Sequence, residues 1–302
     1  MKVQLIYNPA SGTHCNLKLE SLRLAFEACG ANVAVTQTSI EGDVNFDTDC
    51  DLVCVSGGDG ALRLVVRAAV KASLEAPICV YPAGTVNLIA REIGYSSHPD
   101  EFASQAMAGF IKGKAARLYA PVIAYDDQAF VACLSAGPDG LAVADHSPAL
   151  KKRLGGAAYA VAALKLLFTW PRFQFALEVS LEDQSRSSLI CEAFYVTKSH
   201  HYAGNWTLAP DANLESDQFF LLALQKARRR HFLRFTLKIA MGQDPANLSF
   251  VEKIPTRSLG LESHSPDQAG RAFQIDGDAL PHPIKKVEIL DKSITYCLPI
   301  NE

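Results

Sequence analysis

Apolar and polar positions change their rhythm once along this chain. Up to about Arg117, short buried-looking runs alternate with helical patterns. Val3 to Tyr7 reads as a strand, and Leu19, Leu22, Phe26 and Cys29 then recur at helical spacing. Asp51 to Val55 and Ile78 to Tyr81 are two further apolar runs, with Leu62, Val65, Val66 and Ala69 marking a helix between them. Strands that alternate with helices predict a parallel sheet with covering helices. From about Leu118 the runs lengthen and become strand-like: 119–125, 129–135, 173–181, 189–197, 219–224 and 286–290. Asp126-Asp127-Gln128 and Glu182-Asp183-Gln184 separate some of them as turns. The second half therefore predicts an antiparallel sandwich with helical insertions near 141–169 and 229–242. The expected division is 1–117 and 118–302, with the last strand free to return to the N-terminal domain.

Polar loops close three of the early strands. Tyr7-Asn8-Pro9-Ala10-Ser11-Gly12 follows the first, Ser56-Gly57-Gly58-Asp59-Gly60-Ala61 the apolar run 51–55, and Pro82-Ala83-Gly84-Thr85-Val86-Asn87 the run 78–81. Ligands of an open parallel sheet bind at the carboxyl ends of its strands. Glycine allows close backbone approach, and successive amides before a helix N-terminus form an anion nest. A carboxylate inside such a nest, Asp59, calls for a metal ion or a hydroxyl donor. Thr85 is placed to cap the helix that follows, with Asn87 and Arg91 one turn apart on it.

Asn8-Pro9, Ser11-Gly12, Gly57-Gly58-Asp59-Gly60, Pro82 to Asn87 with Ala90-Arg91, and Asp276-Gly277-Asp278 resemble four blocks of the diacylglycerol kinase catalytic-domain family. That family includes bacterial lipid kinases, sphingosine kinases and ceramide kinases. The stretches from Lys151 to Tyr159 and from Leu208 to Ala212 are also similar to bacterial members. The resemblance implies a Rossmann-like nucleotide domain of the NAD kinase/diacylglycerol kinase type and a C-terminal β-sandwich lipid domain, with the site in the cleft between them. It implies ATP and Mg²⁺ as cofactors, and transfer of the γ-phosphoryl group to a hydroxyl of a diacylglycerol-like or long-chain lipid. Phosphoryl transfer asks for a phosphate cradle, a metal and a group that orients or deprotonates the acceptor.

On that reading Asn8, Thr38, Gly57, Gly58, Asp59, Gly60, Ala61, Arg63, Thr85 and Asn87 surround the nucleotide. Asp59 helps hold Mg²⁺ or orients the acceptor. Asp278 is the proton acceptor, with Asp276 beside it raising its pKa as a nearby carboxylate does. Asp139 lies on the substrate side. Asp217 is the ligand expected at the family's structural metal site. Read without the resemblance, Asp-Gly-Asp is an exposed hairpin turn.

The departures define the alternatives. Ala61 stands where the family has Thr, Arg63 and Leu64 replace an Asn-Glu pair, Asp278 replaces Glu, and Gln218 replaces a Gly after Asp217. These favour a weakened or retuned homologue as one alternative, with Arg63 supplying the phosphate contact that Ala61 has lost. An NAD kinase, which shares the Gly-Gly-Asp-Gly loop, is the other. Pro82 to Arg91 and the C-terminal Asp-Gly-Asp favour the lipid branch.

Composition narrows the field further. The 302 residues are 49% hydrophobic and 20% charged, which is globular. The net charge of −3 opposes nucleic-acid binding through bulk charge. The eight cysteines form no zinc-spaced cluster and read as buried reduced thiols of a cytoplasmic protein. Met1-Lys2 precedes only a few apolar residues, which predicts no secretory leader. Leu154 to Trp170 is too short and too interrupted to span a bilayer. Lys226, Arg228, Arg229, Arg230, Arg234 and Lys238, interleaved with apolar residues, predict a basic amphipathic helix on an anionic membrane surface, as does Lys151-Lys152-Arg153 before an apolar helix.

Overall fold

A computed structural model of the chain describes residues 1–9, 15–39, 43–123, 128–145, 172–181, 183, 185–264, 272–280 and 282–300. The chain forms two units, Met1–Ala120 with Asp291–Glu302, and Pro121–Leu290.

The first unit is built on a parallel sheet. Its strands are β1 (Lys2–Tyr7), β2 (Asn32–Gln37), β3 (Leu52–Gly57) and β4 (Ile78–Pro82), in the order β2-β1-β3-β4. Val53 pairs with Ile78 and Ser56 with Tyr81, so β3 and β4 end level with one another. The near-continuous apolar character of β3 follows from its central position, with both faces covered. The helices are α1 (Asn16–Ala28), α2 (Asp59–Ala72), α3 (Leu88–Ile93) and α4 (Pro99–Ile111). Phe102 of α4 joins Phe26, Tyr81 and Tyr95 at ring distances of 6.0, 5.2 and 5.0 Å. The end of the chain closes this core. Tyr296 pairs in parallel with Ile78, and the Tyr95 hydroxyl donates to the Cys297 carbonyl.

The elements of the second unit are β5 (Ala115–Ile123, which begins in the first unit), β6 (Gln128–Ala129), β7 (Cys133–Ala136), α5 (Pro138–Asp145), β8 (Phe175–Ser180), β9 (Arg186–Cys191) and β10 (Ala193–Thr197). β11 (Phe219–Leu224), α6 (Arg229–Ala240), β12 (Val251–Thr256), β13 (Ser258–His264), β14 (Phe273–Ile275), β15 (Asp278–Ala279) and β16 (Lys286–Cys297) follow. Among the described residues of the second unit, the strand pairs β7–β10, β10–β11, β11–β12, β7–β14, β14–β15, β8–β9, β8–β13 and the start of β16 with β13 are antiparallel. One sheet runs β12-β11-β10-β7-β14-β15. Facing it, β8 pairs with β9 and β13, and β13 with the start of β16. Phe175 of β8 meets Phe194 and Phe273 of the other sheet edge-on at 5.3 and 5.8 Å. The parallel-sheet and antiparallel-sheet halves are those expected from the sequence.

Several expectations need correcting. The run 129–135 is two short strands, because the amides of Val131, Ala132 and Cys133 turn to the side chain of Asp276. The run 189–197 breaks at Glu192, whose amide bonds the Leu224 carbonyl at 2.8 Å, and the chain there leaves β8 for β11. β12 shows no apolar pattern in the sequence, because Glu252, Lys253 and Pro255 interrupt it. The helix expected from 141 begins at Pro138. Most of that segment, the Leu154–Trp170 stretch and Lys151-Lys152-Arg153 lie outside the described residues. Cys15 and Cys29 are exposed and Cys50 is half-buried, so only five cysteines are the buried thiols expected.

Candidate active site

The loops at the ends of β3 and β4 are locked together by side chains the sequence had assigned to ligands. Asp59 is buried in the first turn of α2. Its Oδ2 accepts the amide of Leu88 at 2.9 Å and its Oδ1 the amide of Ile89 at 3.1 Å. These are orphan amides at the start of α3, and Asp59 caps them from 29 residues away. Thr85 is exposed and caps nothing, which corrects the expectation for it. Burial pushes the Asp59 carboxyl up, against the opposing pull of the Leu88 and Ile89 amides and the Arg91 charge.

Asn87 sits just before α3, with φ +57° rather than a helical backbone. Its Oδ1 accepts the amide of Gly84 at 2.8 Å, and its Nδ2 donates to the Gly84 carbonyl at 2.9 Å. A Cβ on Gly84 would lie 2.4 Å from the Cα of Gly58, so the two backbones touch. Only glycine permits that approach. The Ala83 amide adds a 3.2 Å bond to the Gly57 carbonyl. Gly57, Gly58, Gly60 and Ala61 thus form one rigid corner with the 82–87 loop. Arg63 is half-buried in α2.

Two more strand ends stand beside this corner in the sheet. Asn8 is half-buried after β1. Thr38 follows β2, and its amide bonds the Tyr7 carbonyl at 3.0 Å. Its hydroxyl is buried and has no hydrogen-bond partner among the described residues. An unsatisfied buried hydroxyl costs about 1–3 kcal/mol and suits a residue that waits for a ligand.

In the second unit the Asp-Gly-Asp segment is a tight hairpin turn. Ile275 pairs with Asp278, and Asp276 and Gly277 have φ +48° and +81°, as a type I′ turn requires. The two carboxylates part company there. Asp276 accepts the amides of Val131, Ala132 and Cys133 at 3.0, 2.9 and 3.1 Å. Asp278 is exposed. The expected role of Asp276, tuning its neighbour as a second free carboxylate, gives way to an anchoring one.

Asp139, in the first turn of α5, joins a buried polar cluster. Ser135 Oγ donates to it at 2.5 Å and Gln274 Nε2 at 3.4 Å, and the Tyr202 hydroxyl is a third partner. Ser135, Gln274 and Tyr195 lie side by side on β7, β14 and β10. Burial pushes the Asp139 carboxyl up, and the bonds from Ser135, Tyr202 and Gln274 oppose it.

Asp217, the residue expected at a structural metal site, lies at the surface. Its side chain is 63% exposed and pairs with Arg257 at 2.8 Å. No group of three metal-ligating acidic, His or Cys side chains occurs among the described residues. The residues that pattern reading missed are Ser135, Gln274, Tyr202 and Lys198. They form no motif, and the available signal was a lysine directly after the apolar run of β10.

Comparison with known proteins shows what the chain is similar to. Residues 2–116 match the family model of the diacylglycerol kinase catalytic domain. The chain is 28% identical over 250 residues to a diacylglycerol kinase of Bacillus subtilis, covering 80% of each chain. It is 24% identical over 233 residues to a diacylglycerol kinase of Staphylococcus carnosus, covering 75% of this chain and 73% of that one. A crystal structure of a diacylglycerol kinase from Bacillus anthracis superimposes with a TM-score of 0.71 at 17% identity, covering 98% of this chain and 96% of that one. An NAD kinase of Archaeoglobus fulgidus, in complex with ATP, shares the fold at a TM-score of 0.51 and 14% identity, covering 98% and 93%.

Proposed function

We propose that this chain, whose residues 2–116 match the model of the diacylglycerol kinase catalytic domain, is an ATP-dependent lipid kinase. It moves the γ-phosphoryl group of ATP to a hydroxyl of a diacylglycerol-like or long-chain lipid. The observation that carries this reading is the corner where Asp59 caps α3 and Gly58 touches Gly84. Two glycine-rich loops at adjacent strand ends, held rigid before any ligand arrives, make a preorganised bed for phosphates. Around it Asn8, Thr38 and Arg63 supply polar contacts to the nucleotide.

Mg²⁺ enters with the nucleotide, as Mg·ATP. The oxygens of Asp59 are already turned to two amides, and the described residues offer no three-ligand metal cluster. On the second unit Asp278 takes the proton of the acceptor hydroxyl, a role its exposure on a short hairpin permits. Asp276 positions that hairpin through the amides of Val131 to Cys133. Asp139 belongs to the acceptor side as a buried polar support.

An anionic membrane surface is the second partner. α6 buries His231, Phe235 and Ile239 and presents Leu233 and Leu237, 54% and 51% exposed, beside Arg230, Arg234 and Lys238, with Met241, 60% exposed, just after its end. Apolar side chains flanked by cations on one helix face suit the boundary of an acidic bilayer. No helix among the described residues is long and apolar enough to cross a membrane.

The test is a kinase assay with labelled Mg·ATP against a total lipid extract, with NAD as a parallel acceptor, followed by mass spectrometry of the product. Phosphorylated lipid is the expected outcome. Conversion of NAD to NADP without lipid labelling would replace this reading by the NAD kinase one. No turnover despite measurable nucleotide binding would favour a non-catalytic homologue.

A further inference from the structure

Lys198 follows β10 and is 1% exposed, an unusual burial for an ammonium group. Its backbone is fixed, with its amide 2.9 Å from the Ala132 carbonyl. Its Nζ donates to the carbonyls of Asn213, Ser216 and Gln218, at 3.4 Å for Asn213 and 3.3 Å for Gln218, with Ser216 the closest of the three. All three belong to one short loop that leads into β11. The loop is shaped from within as well. The Ser216 amide bonds Asn213 Oδ1 at 2.8 Å, and the Gln218 amide bonds Ser216 Oγ at 3.1 Å.

Three carbonyl dipoles aimed at one point form a hard-cation site, the kind of oxygen donor set that Mg²⁺ or Ca²⁺ takes. An ammonium group carries three N–H donors and can serve all three carbonyls. This is also the loop in which the family resemblance places a structural metal. The carboxylate expected to bind it, Asp217, instead pairs with Arg257. The donor set and the metal therefore disagree: the oxygens are present and a cation already sits among them.

We propose that the Lys198 ammonium is the permanent cation of the 213–218 loop, in place of a divalent metal ion. A bound ion stabilises a fold only in proportion to its concentration over its dissociation constant. A cation tethered to β10 acts at any ion concentration. The second unit accordingly holds this loop without a divalent metal, and removing the ammonium exposes a latent site for one.

The experiment uses the full chain, free of nucleotide. Metal analysis of the wild type should find no stoichiometric divalent ion, and its melting temperature should be the same in EDTA, MgCl₂ and CaCl₂. Lys198→Ala takes the ammonium away from all three carbonyls, and its melting temperature in EDTA should fall by about 5 °C or more. Ca²⁺ or Mg²⁺ should then restore part of the loss along a saturable curve. Lys198→Met fills the space without a charge and should fall without recovery. If Lys198→Ala does not fold in EDTA, its refolding yield with and without Ca²⁺ or Mg²⁺ gives the same reading, and equal yields overturn the proposal. So would a wild type that carries one divalent ion and loses stability in EDTA. An Ala variant with an unchanged melting temperature, or a lowered one that neither ion restores, overturns it as well.

Discussion

Asp59 Oδ2 and the Leu88 amide are 2.9 Å apart, and this one bond ties the first turn of α2 to the first turn of α3. A carboxylate is well suited to the place, since it accepts at both oxygens and meets two helix-end amides at once. Asp59→Asn keeps one acceptor but turns an amide group toward the second N–H. We expect Asp59→Asn to weaken Mg·ATP binding ~10-fold or more, which is ~1.4 kcal/mol, and to lower the melting temperature modestly. Calorimetric titration and thermal unfolding measure the two effects. Unchanged affinity would separate the corner from nucleotide binding.

The contrast between Asp59 and Gly58 shows what the sequence can reveal. The glycine spacing, the strand before it and the helix after it are local, so the loop and its place in a parallel sheet were legible. The use of Asp59 was not. Its partners are Leu88 and Ile89, whose amides say nothing in a sequence. The same holds for Asp276, whose partners are the amides of Val131 to Cys133, more than 140 residues away. A carboxylate bound to backbone and one bound to a ligand look identical as letters. The Asp-Gly-Asp turn shows the opposite case, since its hairpin geometry follows from Gly277 and the short apolar strand before it.

Asp276 and Asp278 should therefore fail differently. Asp276→Asn opposes the Val131 amide with an NH₂ group and should cost about 1–3 kcal/mol of stability. Its turnover should fall with the loss of fold. Asp278→Asn should leave the melting temperature unchanged and lower kcat ~10²-fold or more, the usual scale for a general base. The measurement pairs thermal unfolding with steady-state kinetics on both variants. A fully active Asp278→Asn enzyme would remove that residue from the reaction.

The face of α6 makes a prediction about membranes. Arg230→Glu with Arg234→Glu should abolish sedimentation with acidic vesicles, and added salt should weaken wild-type binding as charges are screened. Leu233→Gln with Leu237→Gln should weaken binding even at low salt, because half-exposed leucines leave water only on insertion. Neither pair packs in the core, so both should melt like wild type. Wild-type binding that ignores both salt and the leucine changes would return this face to solvent.

Asp139 sets a pH dependence with a definite sign. Burial raises its folded-state pKa above that of the unfolded chain, where aspartate titrates near ~3.9. The folded state thus holds the proton more tightly. The associated stability is present below the unfolded pKa and is lost as pH rises through the raised folded value. Tyr195 and Tyr202, pushed up by their own burial, stay neutral across this window and donate or pack without titrating. Asp139→Asn cannot ionise, and its Oδ1 can still accept from Ser135. Its stability relative to wild type should therefore rise steadily from pH ~4 toward neutrality. Melting temperatures of both proteins across that range decide it. Asp59 titrates with the same sign in both proteins and cancels in the comparison. Parallel curves would mean that the Ser135, Tyr202 and Gln274 bonds fully offset the burial of the Asp139 carboxylate.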